Sequence, residues 1–86
     1  MTKPQPRLAI GDQVISHRGE WDEGDQPLRR RETGPNATGI VGRIDGPHGA
    51  QGYIYSVTFD PSGVWVFLDD RDFDADPTAY TLLPAR

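Results

Sequence analysis

Residues 53–59 and 64–68 limit the folds open to this chain more than any other stretch. Tyr53, Tyr55, Val57 and Phe59 alternate with Ile54, Ser56 and Thr58, the period-two pattern of a strand with two distinct faces. Val64-Trp65-Val66-Phe67-Leu68 is a second short run of β-branched and aromatic residues. Between them, Asp60-Pro61-Ser62-Gly63 carries turn chemistry: proline pre-sets one backbone angle and glycine is free to adopt positive φ. The two segments read as antiparallel strands joined by a tight turn.

The remaining segments are equally short. Ile10 to Ser16 predicts a turn followed by a strand, and Gly39-Ile40-Val41-Gly42-Arg43-Ile44 a strand that its two glycines bend or bulge. Asp45 to Gly52 is a turn-rich connection. Asp69 to Asp76 is too acidic for a strand and fits one helical or 3₁₀ turn, and Tyr80-Thr81-Leu82-Leu83 predicts a fifth strand before Pro84. Residues 17–38 are polar, punctuated by Gly19, Gly24, Pro27, Gly34 and Pro35, with only Trp21, Leu28 and Ala37 apolar; they predict one long loop after the first strand. Loops of that length tend to be functional or partly disordered. Residues 1–7 predict a flexible tail, and 8–86 a single domain.

Five short strands with no long helix have nothing to lay a flat sheet against, so the sheet must curl on itself. The expected architecture is all-β, a single small five-stranded barrel. Ile10, Val14, Ile40, Ile44, Tyr55, Val57, Phe59, Val64, Val66, Leu68 and Leu82 are the expected interior.

Composition narrows the function. Ten glycines and eight prolines in 86 residues agree with a turn-rich chain. No cysteine is present, which excludes a disulfide framework, a thiolate zinc site and a thiol nucleophile. No apolar stretch has signal-peptide character or approaches the roughly 18 residues of a membrane span, so a cytoplasmic protein with no membrane partner is expected. A net charge of -4 argues against gripping phosphate backbones, so nucleic acid is not the expected partner.

The order Gly11-Asp12-x-Val14, long loop, Gly39-x-x-Gly42-x-Ile44, Tyr-x-Val-x-Phe strand, Gly63-Val64-Trp65-Val66 and acidic turn resembles the Src-homology-3-like small barrels over residues 8–83. Gly39-x-x-Gly42-x-Ile44 also looks like the strand-turn signature of KOW-type barrels, which are commonly basic where this chain is acidic. A third likeness is to the cassette-borne type II dihydrofolate reductases, through Gly-Asp-x-Val and the turn before the key strand; it implies a related barrel carried on mobile elements. In that family the strand reads Val-Gln-Ile-Tyr and lines a pore for folate and nicotinamide cofactor. Here it reads Val64-Trp65-Val66-Phe67, so the amide and the hydroxyl are both gone. Four such Trp residues would fill a pore. No catalytic residue and no cofactor is expected from that likeness.

Several groups are candidates for chemistry. If Val64, Val66 and Leu68 face inward, Trp65 and Phe67 face outward, and two large aromatics on one strand form an apolar patch of the kind that marks contact surfaces. Either the long loop folds over them, with Trp21 or Leu28 completing a second small core, or they meet another copy or another protein. Tyr53 and the basic run Arg29, Arg30 and Arg31 are further contact candidates; the run's acidic neighbours Glu20, Asp22, Glu23, Asp25 and Glu32 point to ion pairing within the loop. Asp70-x-Asp72-x-Asp74 has alternate-position carboxylates, but Ala75 and Thr81 stand where a calcium loop needs Gly and Glu. The expected role of that turn is capping a short helix, with Arg71 offsetting charge. His17 and His48 have no metal-ligand spacing, and Ser16 beside His17 points to the opposite face of a strand. Gly46, Gly49 and Gly52 read as turn residues, since no helix follows them. The expectation is a non-enzymatic binding or assembly module with a homo-oligomeric or protein partner, and the alternative is a small-molecule-binding or reductase-like oligomer with a site at a subunit junction.

Overall fold

The computed structural model describes residues 5–22, 31–59 and 63–84, with Asp22 and Arg31 described by backbone alone. Leu28, Arg29 and Arg30 lie outside the described residues, as do the Arg31 side chain and residues 60–62 of the expected turn. The elements in chain order are β1 (Gln13–Ser16), β2 (Trp21–Asp22), β3 (Arg31–Glu32), β4 (Ala37–Asp45), β5 (Ile54–Phe59), β6 (Val64–Asp69), α1 (Asp70–Ala75) and β7 (Tyr80–Leu83). A 3₁₀ turn at Gly49–Gln51 lies between β4 and β5.

Five strands form one antiparallel sheet in the order β6-β5-β4-β1-β7. The β5–β6 hairpin pairs Phe59 with Val64 and Ile54 with Asp69. Its connection closes at Gly63, whose N–H donates to the Phe59 carbonyl at 2.8 Å. The bend predicted by two glycines falls at Gly42, where the register of β4 on β5 slips between Val41 and Arg43. Gly39 has a different role. A Cβ there would lie 2.5 Å from Val57 Cγ1 and 2.9 Å from the Phe59 ring, so β4 approaches β5 as closely as it does only because residue 39 has no side chain.

Hydrogen-bonded pairing among the described residues ends at β6 on one side and β7 on the other. Side chains of α1 join the two halves. Asp69 caps α1 by accepting from the Asp72 N–H, and the Asp72 carboxylate accepts from the Asp69 N–H in return. Arg71 lies 3.3 Å from the Asp69 carboxylate, the charge offset expected in this turn. The cap orients Phe73 inward, where its ring centre is 5.8 Å from that of Tyr55 on β5 and 5.3 Å from that of Tyr80 on β7. Those two strands are three steps apart in the ladder, about 14 Å if the sheet were flat, so the sheet curls toward α1.

The core is Leu8, Val14, Val41, Tyr55, Val57, Phe59, Val64, Leu68, Phe73, Ala79 and Tyr80, with Ile44, Val66 and Leu82 packed half-buried against it. Two expected core residues lie outside it. Ile10 is 70% exposed, because Asp12 accepts from the Ala9 N–H at 2.7 Å and holds a turn that carries Leu8 inward and Ile10 outward. Ile40 is 43% exposed, because Gly39 and Val41 take the inward positions of β4 on either side of it. Arg7, within the expected tail, is held by three groups: its backbone N–H donates to the Tyr55 hydroxyl at 2.9 Å, and its guanidinium meets Asp70 at 3.1 Å and Asp74 at 2.7 Å.

Candidate contact site

The β6 alternation places Val64 and Leu68 inside and leaves Trp65 and Phe67 outside, 51% and 59% exposed. Their ring centres are 4.8 Å apart. The long loop turns back beside them. Trp21 of β2 comes alongside β6 and stays half-exposed, so the described part of the loop flanks the two rings. Between Trp21 on one wall and Trp65 and Phe67 on the other lies an open cleft of about 650 Å³, with Tyr80 also lining it and Glu20, Asp72 and Arg18 contributing charge.

Polar groups beneath the aromatic walls hold the loop in place. The fully buried Ser16 donates to Glu20 Oε2 at 2.8 Å, and the Tyr80 hydroxyl donates to the same carboxylate at 3.4 Å. The Glu20 N–H donates to Thr33 Oγ1, and the Thr33 N–H donates to the Glu20 carbonyl, each at 2.9 Å, so the two limbs of the loop are bonded to each other next to Trp21. Gly19 permits this: its φ is +85°, and a Cβ there would stand 2.6 Å from the Gly34 carbonyl oxygen. β2 and β3 then pair, Trp21 opposite Glu32, so the expected featureless loop carries a two-residue ladder. His17 ties the same region to β7 through Thr81 Oγ1 at 2.6 Å and to Asn36 Oδ1 at 2.9 Å.

The Arg18 guanidinium lies 5.9 Å from the centre of the Tyr80 ring, a cation–π distance. Burial raises the Tyr80 phenol above its ordinary value despite that cation. Asp76 stays below the usual carboxylate range because the Thr78 hydroxyl and N–H both donate to it. Tyr55 is pushed up to about 12, first by burial and further by Asp70, which accepts from its hydroxyl at 3.0 Å.

No family model matches the chain, and neither the curated proteins nor the solved structures give a match.

The predicted contact residues separate in the structure. Trp65, Phe67 and Trp21 come together at the cleft. Tyr53 does not join them: it packs half-buried against the core, and its N–H donates to Asp70 at 2.8 Å, on the α1 side. Arg18, Glu20, Asp72 and Tyr80 belong to the cleft, and nothing in the sequence places them beside Trp65 and Phe67. The Asp70 carboxylate is engaged by Tyr53, Tyr55 and Arg7, and the described residues contain no cluster of three or more metal-ligating side chains. His48 is exposed beside a smaller depression of about 410 Å³ that it shares with Arg43, Asp45 and Asp69. No described helix is long and apolar enough to cross a membrane.

Proposed function

We propose that this chain is a non-enzymatic binding module of Src-homology-3-like barrel type, acting in the cytoplasm, whose contact site is the aromatic cleft between β2 and β6. The observation that carries the reading is the half-exposure of three large rings, Trp21, Trp65 and Phe67, around one open cleft in a chain otherwise rich in charge. Large aromatics held in place and left wet contribute most of their contact energy only when something covers them. The charges around the cleft indicate what that is. Among the described residues that line the cleft, Glu20 and Asp72 outnumber one cation, Arg18, which is already near the Tyr80 ring, and the chain carries -4 overall. The ligand that fits is a polypeptide segment carrying an apolar or aromatic side chain beside a Lys or Arg. Folate or nicotinamide binding has no support here, since Trp65 and Phe67 lack the amide and hydroxyl that the reductase strand uses.

Titration of Trp fluorescence with three synthetic peptides tests the reading: one aromatic and cationic, one aromatic and acidic, one aromatic and neutral. The cationic peptide is expected to give a saturable change that weakens with salt and is lost in Trp21→Ala and Phe67→Ala. A response equal for all three peptides, or one that survives both substitutions, overturns it.

A further inference from the structure

The rings on β6 meet at an angle. Trp65 and Phe67 are two positions apart on the strand, so both project from its outer side. Their ring centres are 4.8 Å apart and their planes are inclined at 58°, so they form a corner and not a flat stack. Both rings line the cleft, and Trp21 borders it from β2. The face of an aromatic ring is negative and attracts a cation, and two inclined faces attract one from two sides.

The carboxylates of the cleft are already engaged. Glu20 accepts from the buried Ser16 hydroxyl at 2.8 Å and from the Tyr80 hydroxyl at 3.4 Å. Asp72 accepts from the Asp69 N–H at 2.8 Å, one half of the cap on α1. Turning Glu20 toward a ligand would leave the Ser16 hydroxyl buried without that acceptor, and turning Asp72 would open the cap. Both therefore act from where they stand. They lend the cleft negative charge without closing on a cation.

Such a site discriminates among cations. A lysine ammonium carries three N–H donors and an arginine guanidinium five, and each donor needs an acceptor when its water leaves. Ring faces replace those acceptors poorly. Methylation of the lysine nitrogen keeps the charge, removes the donors and adds apolar surface. We propose that the cleft selects an N-methylated lysine on the segment it binds, with the trimethylammonium group against Trp65 and Phe67 and the charge of Glu20 and Asp72 close by. The inference rests on the cleft reading and names the cation within it. The dimensions of the cleft favour a side chain over a free quaternary ammonium ion. About 650 Å³ is room for a drug-sized ligand, so the methylated head takes the corner and flanking residues reach Trp21.

Both tryptophans of the chain border the cleft, so their indole N–H resonances in the proton NMR spectrum of the full chain read binding there. Three peptides of one sequence, each with an aromatic residue beside the varied position, carry lysine, trimethyllysine or the uncharged tert-butyl isostere of trimethyllysine. The trimethyllysine peptide is expected to bind about tenfold tighter than either of the other two. Phe67→Leu, at an exposed position, keeps apolar bulk and removes the π face, and should cut the preference over the isostere to about twofold or less. A lysine peptide that binds as tightly as the trimethylated one, or tighter, means that a carboxylate closes on the ammonium; the inference then fails and the cleft reading stands. An isostere that binds as well as trimethyllysine makes the corner merely apolar and also overturns the inference. If none of the three peptides shifts the indole resonances, the cleft reading itself fails, and this inference with it.

Discussion

Two aromatic groups sit within this small fold, and they are treated in opposite ways. Tyr55, Phe73 and Tyr80 are buried, with Phe73 packed against both tyrosine rings and the two tyrosine hydroxyls tied to Asp70 and Glu20. Trp21, Trp65 and Phe67 are each about half-exposed around an open cleft. The residue types are nearly the same, so hydrophobicity alone does not sort them. Backbone position does. Strand alternation turns Trp65 and Phe67 outward while a capped helical turn drives Phe73 inward. The inner group holds the fold, and the outer group stays open to solvent.

The largest effect expected from disturbing this contrast is at Phe73. Removing the ring that joins β5 to β7 through α1 should destabilise by about 3–5 kcal/mol, a large fraction of what a domain of this size has, and urea denaturation followed by circular dichroism reads it. Gly39→Ala comes next. The added methyl collides with Val57 and Phe59, and overpacking of that kind costs about 1–3 kcal/mol in the same measurement. Asp69→Ala removes the cap that orients Phe73 and should cost about 1 kcal/mol.

The inner group should also leave a signature in pH. Tyr55 keeps its proton to about 12 in the folded chain and loses it near 10 when unfolded. Between those values the folded state holds the extra proton, so stability is fully present below about pH 10 and declines as pH rises toward 12. The slope from this residue is at most about 1.4 kcal/mol per pH unit, and Tyr80 is shifted in the same direction. Tyr55→Phe should flatten the decline; an unchanged slope would remove Tyr55 from the account.

How legible each part was follows from the range of the interactions that form it. The β5–β6 hairpin, the bend in β4 and the acidic helical turn are local, and the alternation, glycines and capping aspartates that specify them lie within a few residues. Ile10 and Ile40 looked like core because they are apolar and lie in strand-like segments. Their outward orientation depends on the Asp12 turn and on Gly39 occupying an inward position, which apolar content does not reveal. Phe73 was hidden for the opposite reason, as one aromatic among five aspartates. The cleft was half legible. Trp65 and Phe67 follow from alternation, whereas Tyr80 and Glu20 meet only because the loop folds back onto β1 and β7, 60 residues apart in the chain.

Trp65→Ala tests the division between the two groups most directly. Its free energy of unfolding, measured beside that of wild type at a concentration low enough to keep both monomeric, should change by less than about 1 kcal/mol, since an exposed ring contributes little to the fold. A loss of about 3 kcal/mol or more would make Trp65 a core residue, and the cleft would then be part of what holds the chain together rather than a surface waiting for a partner.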